Sequence, residues 1–191
     1  LDVSRIVSGK LALEVESVDV AQIVESVIAG QALAAEAKQL RLKTVLDTGP
    51  VVVLGDAARI RQVVLNLLSN AIKYSPPQSE VTLQAIVYGR CGRLSVMDRG
   101  PGVSKSDQTR LFQRYVRLSA PPTGGECSTG LGLALAKQRA RTMGGDLWHD
   151  EREGGGSIFT LWLPLASTRG PANGVGAGPV EPVGDSQEAA S

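Results

Sequence analysis

The chain has 191 residues, 42% of them apolar and 20% charged, which is the composition of an ordinary globular protein with one core. Twenty Lys and Arg residues nearly balance 19 Asp and Glu residues, so charge does not point to nucleic acid as a partner. No apolar run approaches the roughly 20 residues of a membrane-spanning helix, and no basic-then-apolar leader is present, so we expect this piece not to span a membrane. Cys91 and Cys127 lack the CxxC spacing of a zinc or redox site, which favours a reduced, cytoplasmic setting, although a longer parent chain could be membrane-anchored.

The N-terminal residues predict the end of one element and the start of a domain. Residues 1–14 begin with leucine and read as the last turns of a helix closed by Gly9, so we expect a fragment cut from a longer protein. The run LEVESVDV predicts a short strand, after which Asp19 is placed to cap an amphipathic helix. The run QLRLKTVLD then predicts a second strand.

The central and C-terminal elements alternate in type. VVVL predicts a buried strand, and Asp56 is placed to cap a long helix over 57–74 that Pro76 and Pro77 end. EVTLQAIVYG and GRLSVMD predict a hairpin through GRCGR; LGLALAKQRARTMGG predicts a helix; GDLWHDE and GSIFTLWLPL predict two further strands. The stretch 119–130 predicts a mobile loop, and residues 167–191, rich in Gly and Pro, predict a disordered tail or linker.

This order of elements predicts an α+β domain over residues 15–166. Helices interleaved with mainly antiparallel strand pairs favour a two-layer α/β sandwich, in which one mixed sheet carries the helices on one face.

The helix over 57–74 carries an unexpected polar stripe. Asparagine is a poor residue for a helix interior, because its amide competes with the backbone for hydrogen bonds. At about 100° per residue, one arc of roughly 80° collects Arg59, Gln62, Asn66, Asn70 and Lys73. Amide oxygens suit Mg²⁺ and a lysine suits phosphate, so the stripe predicts the floor of a magnesium–nucleotide site; the alternative is a solvated helix face.

Three glycine-containing motifs follow. Asp98 in DRGPG could accept a hydrogen bond from an exocyclic amine, or simply make a turn. In STGLGL, Gly130 and Gly132 lie just before and inside the start of a predicted helix, whose N-terminus could bind an anion, although a glycine pair alone is weak evidence. GGGSIFTLWLP could be only a flexible turn before an edge strand.

Together, and in this order, the motifs closely resemble the catalytic, ATP-binding domain of two-component sensor histidine kinases, in the wider superfamily with gyrase, heat-shock protein 90 and MutL-type ATPases. The lead VLGDAARIRQ resembles the family's Gly-Asp-x-x-Arg approach to its N box. The motifs are the N box (Asn66 to Lys73), G1 (Asp98 to Gly102), the F box (Leu111 to Tyr115), G2 (Ser128 to Leu133) and G3 (Gly155 to Thr160). The resemblance implies a Bergerat-type ATP-binding fold, with residues 1–14 as the end of a dimerisation helix.

The resemblance also implies roles for single residues, with ATP and Mg²⁺ as cofactors. Asn70 would bind Mg²⁺, Tyr74 would cover the adenine and Asp98 would read its amino group. Catalytic roles would fall to Asn66, Lys73, Arg114 and Arg117, the two arginines meeting the γ-phosphate. The remaining cofactor-binding residues would be Gly100, Gly102, Thr129, Gly130, Leu131, Gly132 and Leu133, with 119–130 as the ATP lid. Ser128 and Arg99 depart from the common pattern, but neither removes a group that this chemistry needs.

A kinase of this family needs an acceptor histidine on a helix before the catalytic domain. His149 is in the wrong place for it, and we expect an exposed strand histidine instead. The implied partners are therefore a histidine-containing dimerisation domain of a homodimeric parent kinase and a response regulator receiver domain. Asn66 stands where the ATPase relatives have a water-activating glutamate, which favours kinase over hydrolase. The alternatives are an ATPase or serine kinase of the same superfamily, and a degenerate docking module without catalysis.

Overall fold

The structure, a computed structural model, describes residues 13–116, 119–123 and 130–166. Across these residues the elements follow the predicted order, with one short helix added. They are β1 (Glu16–Asp19), α1 (Val20–Ala37), β2 (Arg41–Leu46), β3 (Val52–Gly55), α2 (Ala57–Tyr74), β4 (Glu80–Tyr88), β5 (Cys91–Met97), α3 (Lys105–Gln108), α4 (Gly132–Thr142), β6 (Asp146–Glu151) and β7 (Ser157–Pro164).

The described strands form a five-stranded mixed sheet and a separate two-stranded one. The large sheet has the order β2-β4-β5-β7-β6, in which β2 runs parallel to β4 and the other neighbours are antiparallel. The small sheet pairs β1 with β3, and a bridge from Val53 to Leu165 ties it to the end of β7. The predicted α+β sandwich with a mixed, mostly antiparallel sheet is confirmed.

The core lies between the large sheet and its helices. Leu83, Val96 and Leu161, one from each of three neighbouring strands, belong to this core and are at most 1% exposed. Helix α2 covers them with its whole predicted apolar face, which comprises Ile60, Val63, Val64, Leu67, Leu68 and Ala71. Burying one such leucine or valine contributes about 1.5–3 kcal/mol, so this face fixes α2 on the sheet and turns its polar stripe away.

Both predicted caps are present. The Asp19 carboxylate accepts a hydrogen bond from Ala21 N at 2.9 Å, and the Asp56 carboxylate accepts one from Arg59 N at 3.1 Å. The predicted hairpin forms with a shorter turn than expected, since β5 already begins at Cys91 and only two residues connect the strands. Among the described residues, no helix combines the length and the hydropathy needed to cross a bilayer.

Some predictions lie outside the described residues. They are the helix remnant up to Gly9, the tail at 167–191, and most of the loop at 119–130, including Ser128 and Thr129. Arg117 lies outside them as well.

Candidate functional site

A cleft opens between the C-terminal half of α2, the start of α4, the end of β5 and the start of β7. The empty space of this cleft, with the open mouth and its solvent included, is about 750 Å³. Seven of the predicted site residues line it: Asn70, Tyr74, Asp98, Gly102, Gly130, Gly132 and Leu133. The structure thus brings together the N-box, G1 and G2 motifs, which are separated by up to about 60 positions in the sequence.

Asp98 is the buried polar centre of this cleft. It is 5% exposed, and its Oδ1 accepts hydrogen bonds from Gly100 N at 2.8 Å and Ser157 N at 3.1 Å. Its Oδ2 accepts no hydrogen bond from the described residues. Burial raises the pKa of Asp98, opposed by the two backbone hydrogen bonds and by the nearby Arg152 guanidinium. A buried carboxylate with one committed and one uncommitted oxygen is suited to a ligand that donates a hydrogen bond.

The glycine run before β7 holds Asp98 in place. Gly154, Gly155 and Gly156 have φ values of 77°, 98° and 109°, which L side chains rarely adopt. A Cβ at Gly156 would overlap the Asp98 carbonyl oxygen, to which Arg152 Nη1 donates a hydrogen bond at 3.0 Å. The glycine run therefore both makes a turn and brings its backbone close to the backbone of Asp98.

The polar stripe of α2 faces the start of α4. Asn70 and Tyr74 line the cleft, whereas Asn66 packs so closely on Gly132 that a Cβ there would collide with Asn66 Oδ1. Asn66 Nδ2 is buried and has no hydrogen-bond partner among the described residues. Lys73 is half-buried beside Asn70 and is absent from the cleft lining.

The N-terminus of α4 opens onto the cleft. Leu131 occupies the cap position, and no side chain makes a capping hydrogen bond there. Gly130, with φ of 68°, turns the chain into the helix where a Cβ would overlap Val116 O. Uncapped N–H groups at the positive end of an 11-residue helix are suited to an anionic ligand.

Other predicted site residues lie elsewhere. Gly100 sits behind Asp98, where a Cβ would contact Tyr74 O. Arg114 lies in the neighbouring groove between α3 and α4, with its Nη2 donating to Gln138 Oε1 at 2.8 Å. Arg117 and Thr129 are outside the described residues.

The apolar wall of the cleft comprises Val103, Leu111, Val116 and Phe159. Leu111 and Phe159 lie within the F-box and G3 motifs but were given no role from the sequence, and Val103 and Val116 were missed. Phe159 had a signal, because the alternation in SIFTLWLP places it on the core face of the last strand. Ser157, whose amide binds Asp98, had only its position after the glycine run as a signal.

The expectation that His149 is exposed was wrong. The register of β6 on β7 sets His149 opposite Phe159, on the core face, and the two ring centroids are 5.0 Å apart. His149 is half-buried, and its Nε2 has no hydrogen-bond partner in the described part of the chain. Burial lowers its pKa, an effect that Asp150 and Glu151 partly oppose.

The donor set of the cleft suits a purine with a polyphosphate. Asp98 can accept from an exocyclic amine beside the apolar wall, and the α4 N-terminus can meet phosphate oxygens. Within the described residues, no group of three or more His, Cys, Asp or Glu could cage a metal ion. A divalent cation would therefore be shared between the Asn70 amide and ligand phosphates, which is the usual arrangement for Mg²⁺.

Comparisons with known proteins agree with this geometry. Residues 55–167 match the family described as histidine kinase-, DNA gyrase B-, and HSP90-like ATPase. The chain is 36% identical over 168 residues to the circadian input-output histidine kinase CikA of Synechococcus elongatus, covering 86% of this chain and 22% of that protein. It is 34% identical over 164 residues to the sensor-like histidine kinase SenX3 of Mycolicibacterium smegmatis, covering 86% and 42%.

A solved structure also resembles the chain. Full-length ShkA in complex with AMPPNP superposes with a TM-score of 0.72 and 28% identity, covering 88% of this chain and 35% of that one. The chain therefore spans about a fifth to two fifths of the length of these three proteins.

Proposed function

The chain belongs to the family of histidine kinase-, DNA gyrase B- and HSP90-like ATPases, as a catalytic ATP-binding domain of the sensor histidine kinase kind, and we propose that it transfers the γ-phosphate of Mg-ATP to a histidine on a separate dimerisation domain. From that histidine the phosphoryl group would pass to the receiver domain of a response regulator.

The observation that carries the proposal is the uncommitted oxygen of Asp98 in a cleft walled by glycines and apolar side chains. The adenine amino group donates to Asp98 Oδ2, and the ring lies between Phe159 and the backbone near Gly102. The same cleft leads to Asn70 and the α4 N-terminus, so the phosphates follow from the base along the polar stripe.

The side chains of α2 hold the phosphates. The amide oxygen of Asn70 would coordinate Mg²⁺, and the Lys73 ammonium would contact phosphate oxygens. A bound Mg²⁺ supplies charge neutralisation on the β- and γ-phosphates. Asn66, packed against Gly132, keeps the start of α4 beside this stripe.

Phosphoryl transfer is favoured over hydrolysis. An amide at position 66 has no basicity with which to activate water, whereas a carboxylate would. An imidazole nitrogen of the partner domain attacks the γ-phosphorus in line, so that the new N–P bond forms as the bond to the β–γ bridging oxygen breaks and ADP leaves. His149 is unsuited to be that acceptor, because its ring packs on Phe159 inside the sheet layer.

Transfer of label from γ-labelled ATP tests the proposal. The chain alone should acquire no acid-labile phosphohistidine, and a purified dimerisation domain of a kinase relative should become labelled when the chain is added. Label on His149, or release of free phosphate at the rate of nucleotide turnover, would instead favour self-phosphorylation or an ATPase.

A further inference from the structure

The last turn of α2 is held by an unusual concentration of hydrogen-bond donors. The backbone carbonyl of Lys73 accepts from Lys38 Nζ at 2.7 Å, from Thr123 Oγ1 at 2.9 Å and from Thr123 N at 3.2 Å. The last four carbonyls of an α-helix have no partner within the helix, so outside groups must satisfy them. Here two residues from distant segments meet on a single carbonyl.

Lys38 approaches from α1. It is the C-cap residue of this helix, and Gln39, with φ of 57°, turns the chain sharply after it. The Lys38 ammonium also donates to Ile72 O at 2.6 Å, so it bridges two successive carbonyls. A cation here also complements the negative end of the α2 dipole.

Thr123 approaches from the opposite side, out of the segment 119–123. Its hydroxyl donates to Ser75 O at 3.0 Å in addition to Lys73 O. The backbone amide of Ser119, in the same segment, donates a hydrogen bond to Asp107 Oδ2 at 2.9 Å. The hydrogen bonds from Ser119, followed by those from Ser104 and Arg110, lower the pKa of Asp107 to about 2, so its carboxylate is charged at any physiological pH.

We propose that Lys38 and Thr123 are positioning residues for nucleotide phosphates: together they clamp the α2 turn that carries Lys73 and follows Asn70. This inference rests on the proposed function, in which those two side chains meet the phosphates and Mg²⁺. Neither Lys38 nor Thr123 touches the nucleotide. They hold the backbone from which the Lys73 ammonium extends, and helix ends without such support fray.

The clamp does not hold Asp98, although Tyr74, which also lines the cleft, lies in the clamped turn. Asp98 is fixed independently by Gly100, Ser157 and the glycine run before β7. Loss of the clamp should therefore weaken the binding of ligands that carry phosphates more than the binding of adenosine, whereas loss of a residue with a general structural role would weaken both equally.

Thr123→Val, which removes the hydroxyl and keeps the shape, tests one half of the clamp. Loss of one bonded hydroxyl should weaken Mg-ADP by about fivefold in a calorimetric titration, and adenosine by less than about twofold. Thr123→Ser, which keeps the hydroxyl, should restore the affinity for Mg-ADP. Thr142→Val is the matched control, because its hydroxyl also donates to a helix-end carbonyl, that of Arg139, but on α4.

Lys38→Met tests the other half of the clamp and should weaken the binding of Mg-ADP by a similar factor. Lys43→Met, which replaces an exposed lysine, is the control and should leave the affinity for Mg-ADP unchanged. Equal affinities for Mg-ADP in wild type, Thr123→Val and Lys38→Met would overturn the clamp, as would an equal loss for adenosine. Hydrogen exchange of the ligand-free chain separates this result from failure of the proposed function. The amides of residues 71–75 should exchange faster in both variants, and unchanged exchange there would overturn the clamp whether or not the wild type binds Mg-ADP.

Discussion

Replacing Asp98 by asparagine should exchange the base preference of the cleft. Asp98 Oδ1 accepts two backbone N–H groups, from Gly100 at 2.8 Å and Ser157 at 3.1 Å. An asparagine must keep its carbonyl oxygen there, because its NH₂ group would face two donors. The NH₂ group is then forced into the Oδ2 position, where the adenine amino group finds a donor in place of an acceptor.

The size of the effect follows from the lost bond. A hydrogen bond to a charged group contributes about 1.5–3 kcal/mol, so the affinity for Mg-ADP should fall by roughly 10- to 150-fold. Guanine carries an oxygen at the corresponding ring position and can accept from the new NH₂ group, so Mg-GDP should lose less or gain. Calorimetric titrations of both nucleotides give the ratio directly.

The same substitution should change the pH dependence of stability. Burial raises the pKa of Asp98 in the folded chain above its ordinary value of 3.8. The folded state therefore binds its proton more tightly than the unfolded state, and stability is lost as pH rises from 3.8 through the raised value. Asp98→Asn removes this loss, so the variant should not be less stable than wild type at neutral pH.

Asp47→Asn is the matched control for affinity, since Asp47 also accepts two backbone amides but is exposed and remote from the cleft. An Asp98→Asn chain that still prefers Mg-ADP to Mg-GDP by the wild-type ratio would refute the reading of Asp98 as the adenine acceptor.

Three further predictions concern the metal, the glycine run and the histidine. Asn70→Ala should abolish Mg²⁺-dependent nucleotide binding in calorimetry while thermal unfolding stays near wild type, with the exposed neighbour Ser69→Ala as control; an unchanged titration would remove Asn70 as a ligand. Gly156→Ala should lower the free energy of unfolding in urea by about 1–3 kcal/mol and weaken the binding of Mg-ADP, because its Cβ overlaps the Asp98 backbone. Gly155→Ala is the control, since that position is equally strained at φ of 98° but has open space around its Cβ, and it should keep more affinity for Mg-ADP. Equal losses of affinity in the two variants would contradict the overlap. Burial lowers the folded pKa of His149 below 6.5, so its contribution to stability is complete above about pH 6.5 and is lost as pH falls through the folded pKa. In His149→Phe, the free energy of unfolding measured in urea should therefore depend less on pH across that acid range. A pH dependence equal to that of wild type would show that another group titrates there.

Local chemistry explains why much of this fold was predictable from the sequence. Asp19 and Asp56, as N-cap residues, indicate where α1 and α2 begin. The spacing of the apolar residues from Ile60 to Ala71 identifies the buried face of α2. The motif glycines could be placed at the cleft because their spacing resembles a known family. The short α3 was missed because four residues show no periodicity, although Ser104 caps it in a recognisable way through Asp107 N.

Features that depend on tertiary contacts could not be predicted. The burial of His149 is set by the register of β6 on β7, and a shift of one residue would have turned it outward as expected. Lys38 and Thr123 meet at Lys73 across 35 and 50 positions of sequence, and neither has a pattern of its own. Arg114 lies in the F box, yet its guanidinium donates a hydrogen bond to Gln138 on α4, a contact for which the sequence has no signal.

The most direct test of the central claim is a calorimetric titration of the wild-type chain with ATP in the presence of Mg²⁺. We predict saturable one-to-one binding that excess ADP displaces and that removal of Mg²⁺ weakens strongly. Absence of saturable heat at millimolar nucleotide, with the chain folded, would contradict the assignment of this cleft as an ATP site.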